Sequence, residues 1–123
     1  MHLAVGTASG ISRLFDVRSH RPLAERDQRN GLPIRQIRFI SSPHCGKPVC
    51  VSMDEKCVKF WVADSQAELI TTVESEARIN DIAFFPNSGL MLTAVERHFK
   101  FIVFQINLES SKACFVTNAV LSV

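Results

Sequence analysis

Residues 34–39 read Ile-Arg-Gln-Ile-Arg-Phe, and residues 79–84 read Ile-Asn-Asp-Ile-Ala-Phe. The shared Ile-x-x-Ile-x-Phe pattern returns after forty-five residues. A second pattern keeps step with it: Arg13-Leu14-Phe15-Asp16 returns forty-six residues later as Lys59-Phe60-Trp61-Val62, with a looser third copy at Phe101-Ile102-Val103-Phe104. Each copy comes in the same order: an apolar strand, a turn, a strand, a tight polar turn, a strand ending on an aromatic, then a weaker strand. The tight turns are Ser9–Gly10, Asp54–Lys56 and Glu96–His98. A period of about 40–45 residues with four strands per unit is the period of a propeller blade.

Working outward, short runs of β-branched and aromatic residues alternate with polar ones between polar turns, the pattern of half-buried strands. The expected strands are His2–Ala8, Ile11–Val17, Pro22–Arg26, Ile34–Ile40, Pro48–Met53, Cys57–Ala63, Glu68–Val73, Ile79–Phe85, Leu90–Val95, Phe99–Ile106 and Ala113–Asn118. No segment carries a sustained 3.6-residue apolar stripe with caps. The chain is therefore expected to be all-β, built of antiparallel four-stranded blades. Residues 2–27 give an incomplete blade lacking its inner strand, 32–75 a blade, and 77–118 another. That makes two to three blades, where a closed propeller has about four to eight.

The endings Phe15-Asp16 and Trp61-Val62 resemble the Trp-Asp ending of WD repeats, and Asp54 sits where such repeats carry a turn aspartate. Phe15 stands for Trp, Val62 for Asp, and no Gly-His pair precedes any copy. The His–Asp–Ser–Trp hydrogen-bond network of well-formed WD repeats is therefore not expected, and apolar packing is expected to hold the blades. Phe39 and Phe84 share one repeat position, and Phe15, Trp61 and Phe104 share another. All are expected to bury against neighbouring sheets rather than to form a stacking platform.

Several stretches look like one WD-repeat family. Asn30-Gly31-Leu32-Pro33-Ile34 with Ile37 and Phe39, and Pro86-Asn87-Ser88-Gly89 with Leu92-Thr93-Ala94 and Glu96, resemble blade openings of the nucleolar protein 10 (essential nuclear protein 2) family. So do Leu3-Ala4-Val5-Gly6-Thr7 and Arg18-Ser19-x-x-Pro22-Leu23. The matches are co-linear over residues 3–106. The resemblance implies a non-enzymatic scaffold of the small-subunit processome, nucleolar, assembling on pre-ribosomal RNA during 18S rRNA maturation. Its implied partners are other ribosome assembly factors and pre-rRNA. It further implies an N-terminal propeller, of which this chain would be an internal piece, and a C-terminal extension that the chain lacks.

Composition fits an ordinary soluble globular chain. The 123 residues are 46% hydrophobic and 21% charged, ordinary values for a globular chain. No run approaches the roughly 18 apolar residues of a membrane span, and Arg13 and Asp16 interrupt any secretory h-region. Cys45, Cys50, Cys57 and Cys114 form no C-x-x-C pair, so free thiols in a reducing compartment are expected, and no metal or cofactor. His2, His20, His44 and His98 fall at strand ends or turns. Val5–Gly10 has two glycines but leads to a strand, unlike a phosphate loop. Asp54-Glu55 and Glu74-x-Glu76 read as solvated turn acids.

Charge is uneven. Residues 1–48 carry eight Lys/Arg against three Asp/Glu, whereas residues 49–123 carry six against nine. Arg18, Arg21, Arg26 and Arg29 fall in the connection from the third strand of the first blade to the next blade. With Arg35 on an inner strand, they are the candidate contacts to RNA phosphate or an acidic partner. Arg38 alternates with Ile37 and Phe39 and would line a blade wall or the channel.

Three alternatives remain open from the residues: a cytoplasmic WD-repeat adaptor binding a peptide motif, a small β-sandwich, and an enzyme. An arc of so few blades leaves apolar sheet faces and strand edges uncovered. In isolation the chain is expected to self-associate or stay partly unfolded; a monodisperse monomer in size-exclusion chromatography with cooperative melting would contradict this.

Overall fold

The computed structural model describes the backbone of residues 2–40, 48–85, 90–95, 98–107 and 112–122, and the side chains of 2–40, 48–84 and 91–95. His44, Cys45, residues 86–89, Glu96 and Arg97 lie outside the described residues, as do the side chains of His98, Phe104 and Cys114. The strands are β1 (His2–Gly6), β2 (Ile11–Asp16), β3 (Pro22–Asp27), β4 (Gln36–Ile40), β5 (Val49–Met53), β6 (Cys57–Val62), β7 (Leu69–Glu74), β8 (Ile79–Phe85), β9 (Leu90–Val95), β10 (His98–Asn107) and β11 (Lys112–Ser122). They form three antiparallel meanders, ordered β1-β2-β3, β4-β5-β6-β7 and β8-β9-β10-β11. The last strand thus runs past Asn118. At the other extreme, Ile34 and Arg35 precede β4 rather than open it. Their backbone N–H groups are drawn aside, Ile34 donating to Thr7 O at 3.0 Å and Arg35 to Met53 O at 2.8 Å.

The ladder slips at the same place in each sheet, between Leu14 and Phe15, Phe60 and Trp61, and Val103 and Phe104. The extra residue lies each time on the outermost strand, at Leu23, Ile70 and Val116, so the aromatic of each repeat stands opposite a bulge.

Period-two alternation splits each strand between two seams. Val49, Val51, Met53, Val58 and Phe60 of the middle sheet pack on Ile79, Ile82 and Met91 of the third. Phe84 joins them, its ring centroid 6.2 Å from that of Phe60. The opposite face of the middle sheet presents Cys50 and Trp61 to Leu14, with Ala4 and Ala24 packed alongside. Phe39 was expected to bury like Phe84, but it is 43% exposed. It shares its face with its cross-strand partner Cys50, turned toward the first sheet. That sheet has three strands, and β1 lies beside β4 with no further strand to cover Phe39. Leu3 and Val5 are likewise exposed, at 55% and 43%, on the far face of the first sheet. Phe15 on that face is half-buried.

The hydrogen-bond network that was not expected is present in altered form beside the apolar packing. Trp61 Nε1 donates to Ser52 Oγ at 3.3 Å, and Ser52 Oγ donates to Gln28 Oε1 at 3.0 Å. Gln28 Nε2 donates to the carbonyls of Ser52 and Cys57, each at 3.2 Å. Alongside, Asp54 Oδ1 accepts the N–H groups of Lys56 and Cys57 at 2.7 and 2.8 Å, while Oδ2 accepts Asn30 Nδ2 at 2.8 Å. Gln28, Ser52, Asp54 and Trp61 are all at most 1% exposed. A buried polar group must be bonded; here an amide from the connection before the blade takes the place expected of an imidazole.

Two glycines let the first hairpin close on this connection. A Cβ at Gly6 would collide with the Ile34 side chain, and Gly10, at φ 91°, would place one 2.8 Å from Leu32 O. At the other end of the hairpin Asp16 accepts the Arg18 N–H at 3.0 Å, which holds its carboxyl below its ordinary pKa. Arg13 and Glu25, directly opposite on β2 and β3, pair at 2.7 Å on the surface.

Cys50 and Cys57 are buried free thiols. Burial pushes Cys50 up to about 12, and burial followed by the nearby Asp54 charge raises Cys57.

Two outcomes follow for stability. Asp54→Ala removes three hydrogen bonds to an anionic acceptor and should cost about 2–4 kcal/mol. Asp54→Asn keeps one acceptor oxygen and should cost about half as much, the order being read as rates of limited proteolysis. For Cys50, the folded thiol keeps its proton when the unfolded thiol, titrating near 9.0, has lost it. Its contribution is full below pH 9 and declines as pH rises toward 12, by about 1.4 kcal/mol per pH unit. The difference between the native chain and Cys50→Ala in alkaline unfolding, followed by Trp61 emission, should show that slope.

Candidate functional site

A cleft of about 440 Å³ opens between the Gln28–Asn30 connection and the outer two strands of the middle sheet. Its walls carry Arg29, Lys56, Lys59, Thr72, Glu74 and Ser75. Its floor is the buried network: Gln28 and Cys57 line it, and Asn30 leans on Asp54. The sequence builds it in two steps. Lys59 and Thr72 are direct cross-strand partners, as are Cys57 and Glu74, so all four stand on one face of β6–β7. That face looks toward the first sheet, because Trp61 shares it. The connection from β3 then passes in front, pinned by Gln28 N donating to Gly10 O at 2.9 Å.

Electrostatically the cleft is positive. Three cations line it against one acid, Glu74. Among the described residues none of these cations is in an ion pair, whereas Arg13, Arg35 and Arg78 each reach a glutamate. Behind the cleft, Arg26 faces the same seam as the cross-strand partner of Ser12. Arg26 Nε and Ser12 Oγ are both buried without a hydrogen-bond partner. Arg29 has φ 67°, a left-handed conformation uncommon for a long side chain. The Asp27 carboxylate holds it there by accepting the Arg29 N–H at 2.8 Å.

The five arginines singled out from the sequence do not converge. Arg18 and Arg21 are exposed at the β2–β3 turn. Strand β3 then carries the chain roughly 17–20 Å, at about 3.3 Å per residue, before it reaches Arg29. Arg26 is half-buried. Arg35 lies across the seam and pairs with Glu55 at 3.6 Å, a carboxylate it shares with Arg78 at 3.2 Å. Arg38 is exposed and donates to Gln36 Oε1 at 3.4 Å, while Gln36 Nε2 donates to Asp81 of the third sheet. Of the five, only Arg29 lines the cleft.

Lys56 and Lys59 were not singled out, because they lie in the acidic part of the chain. A signal was present all the same. Lys59 occupies the repeat position of Arg13, so the pleat had to present it on a solvent-facing edge. Of the histidines, His2 and His20 are exposed, and His20 sits at φ 58° in the β2–β3 turn.

Comparison with known proteins follows the same lines. The model of the family described as "Nucleolar protein 10-like, N-terminal domain", a β-propeller domain, matches residues 1–107. Nucleolar protein 10 of Xenopus tropicalis is 41% identical over 78% of this chain, and that of Homo sapiens 39% identical over 76%. Ribosome biogenesis protein ENP2 of Chaetomium thermophilum is 38% identical over 78%. The chain spans about 13% of the length of the first two and 14% of the third. A chain in the crystal structure of the Mitotic Checkpoint Complex superposes with a TM-score of 0.73 at 15% identity, covering 95% of this chain and 35% of that one. That likeness concerns the fold alone: an all-β propeller.

Proposed function

The chain belongs to the nucleolar protein 10-like family, within its N-terminal β-propeller domain, and from that membership we propose that it acts as a non-enzymatic interaction platform in ribosome biogenesis. The names of its relatives, nucleolar protein 10 and ribosome biogenesis protein ENP2, support that process and a nucleolar location. On this reading the protein belongs to the small-subunit processome and to 18S pre-rRNA maturation, with other assembly factors and pre-rRNA as partners.

The observation that carries the reading is the unpaired basic cleft, set on a network whose polar groups are committed to holding backbone. Gln28, Ser52 and Asp54 all bond main-chain or indole groups of the blade, which suits a rigid docking surface and leaves none of them to activate a nucleophile. On this reading the exposed Arg18 and Arg21 offer a second contact point at the opposite end of the first sheet, while Arg35 lies at the end that carries Arg29.

Expressed as the full-length tagged protein, it should accumulate in the nucleolus and bring down precursors of 18S rRNA. A diffuse cytoplasmic signal without pre-rRNA would sink the ribosome reading and favour a peptide-binding adaptor of another complex.

A further inference from the structure

We propose that the cleft between the first and middle sheets holds an extended acidic peptide from a partner protein. The proposal rests on the interaction-platform reading and names the partner chemistry of its site.

Three observations lead there. The first is charge. Arg29, Lys56 and Lys59 line the cleft and stand without ion-pair partners among the described residues. Arg13, Arg35 and Arg78 reach carboxylates of their own, and Arg18, Arg21 and Arg38 are exposed singly; what sets Arg29, Lys56 and Lys59 apart is that all three line one concavity. An incoming carboxylate-bearing segment supplies what these lack.

The second is the backbone of Arg29. A left-handed position is easiest for glycine or asparagine, and Asn30 lies one residue away. The chain instead places a long cation there, tied down by Asp27. The left-handed turn projects the Arg29 side chain from the connection at the cleft wall.

The third concerns shape and lining, and it separates peptide from nucleic acid. The volume of about 440 Å³ falls within the roughly 300–1,000 Å³ range of ligand sites. Among the described residues no aromatic ring lines it, so they offer a single strand of RNA no ring for its bases to stack on. Glu74 at the wall repels phosphate and carboxylate alike, so it does not discriminate by charge, but it offers an acceptor to a peptide N–H. The Thr72 hydroxyl, opposite Lys59, offers a further polar contact to an extended backbone.

The test is fluorescence anisotropy with the full-length protein, using fluorescein-labelled octaglutamate, with octauridylate as the competing chemistry. Octaglutamate should bind, more weakly as salt rises. The double variant Lys56→Glu/Lys59→Glu should weaken it about tenfold or more. Arg29→Gly should weaken it roughly threefold without lowering the thermal midpoint, since glycine relieves the left-handed strain; that separates lost contact from lost fold. Unchanged octaglutamate affinity in both variants overturns the proposal. Tighter binding of octauridylate than of octaglutamate, lost in the double variant, overturns it in favour of RNA. The nucleolar test of the whole protein is independent of this one: peptide binding with no nucleolar signal leaves the cleft assignment standing and removes the process assigned to it.

Discussion

One side-chain amide ties the first and middle sheets together. Gln28 leaves the end of the first sheet and bonds three groups of the next: the Ser52 hydroxyl and the carbonyls of Ser52 and Cys57. Ser52 passes the link to the Trp61 indole, the largest fully buried side chain described. Inside the protein each bond is stronger than at the surface, and losing one partner strands the others. The position of the 28–30 connection, and with it one wall of the cleft, depends on this amide. Apolar packing alone fixes how far apart two sheets lie; a directional bond fixes where along the seam they meet.

The two seams of the middle sheet accordingly differ in character. Toward the third sheet, Val49, Val51, Met53, Val58 and Phe60 meet Ile79, Ile82 and Met91. Toward the first sheet the apolar cluster is smaller, built on Leu14, Cys50 and Trp61, and continues into buried polar groups. The dry seam makes the stack cohere. The polar seam leaves unpaired donors and a concavity, and that is where a contact site can form without weakening the core.

Much of this was legible in the residues. The forty-five-residue return of Ile-x-x-Ile-x-Phe located the strands to within a few positions, because alternation and turn chemistry act locally. Three things were not legible. Gln28 precedes Ser52 by 24 residues, and nothing in its neighbourhood announces that its amide will serve where a histidine was looked for. Phe39 carries the same local pattern as Phe84, but its exposure is decided by which strand stands opposite, a tertiary fact. The arginines cluster in sequence and scatter in space, because a strand separates neighbours in the chain while pairing brings Lys56 and Lys59 to Arg29.

The recurring bulge opposite Phe15, Trp61 and Phe104 has a mechanical consequence. A bulge adds local right-handed twist, so each outermost strand turns away from the plane of its sheet. The cleft side chains of Lys59 and Thr72 stand on a ladder whose hydrogen bonds run inside the middle sheet. What those side chains touch can therefore change without a bond of the ladder being broken.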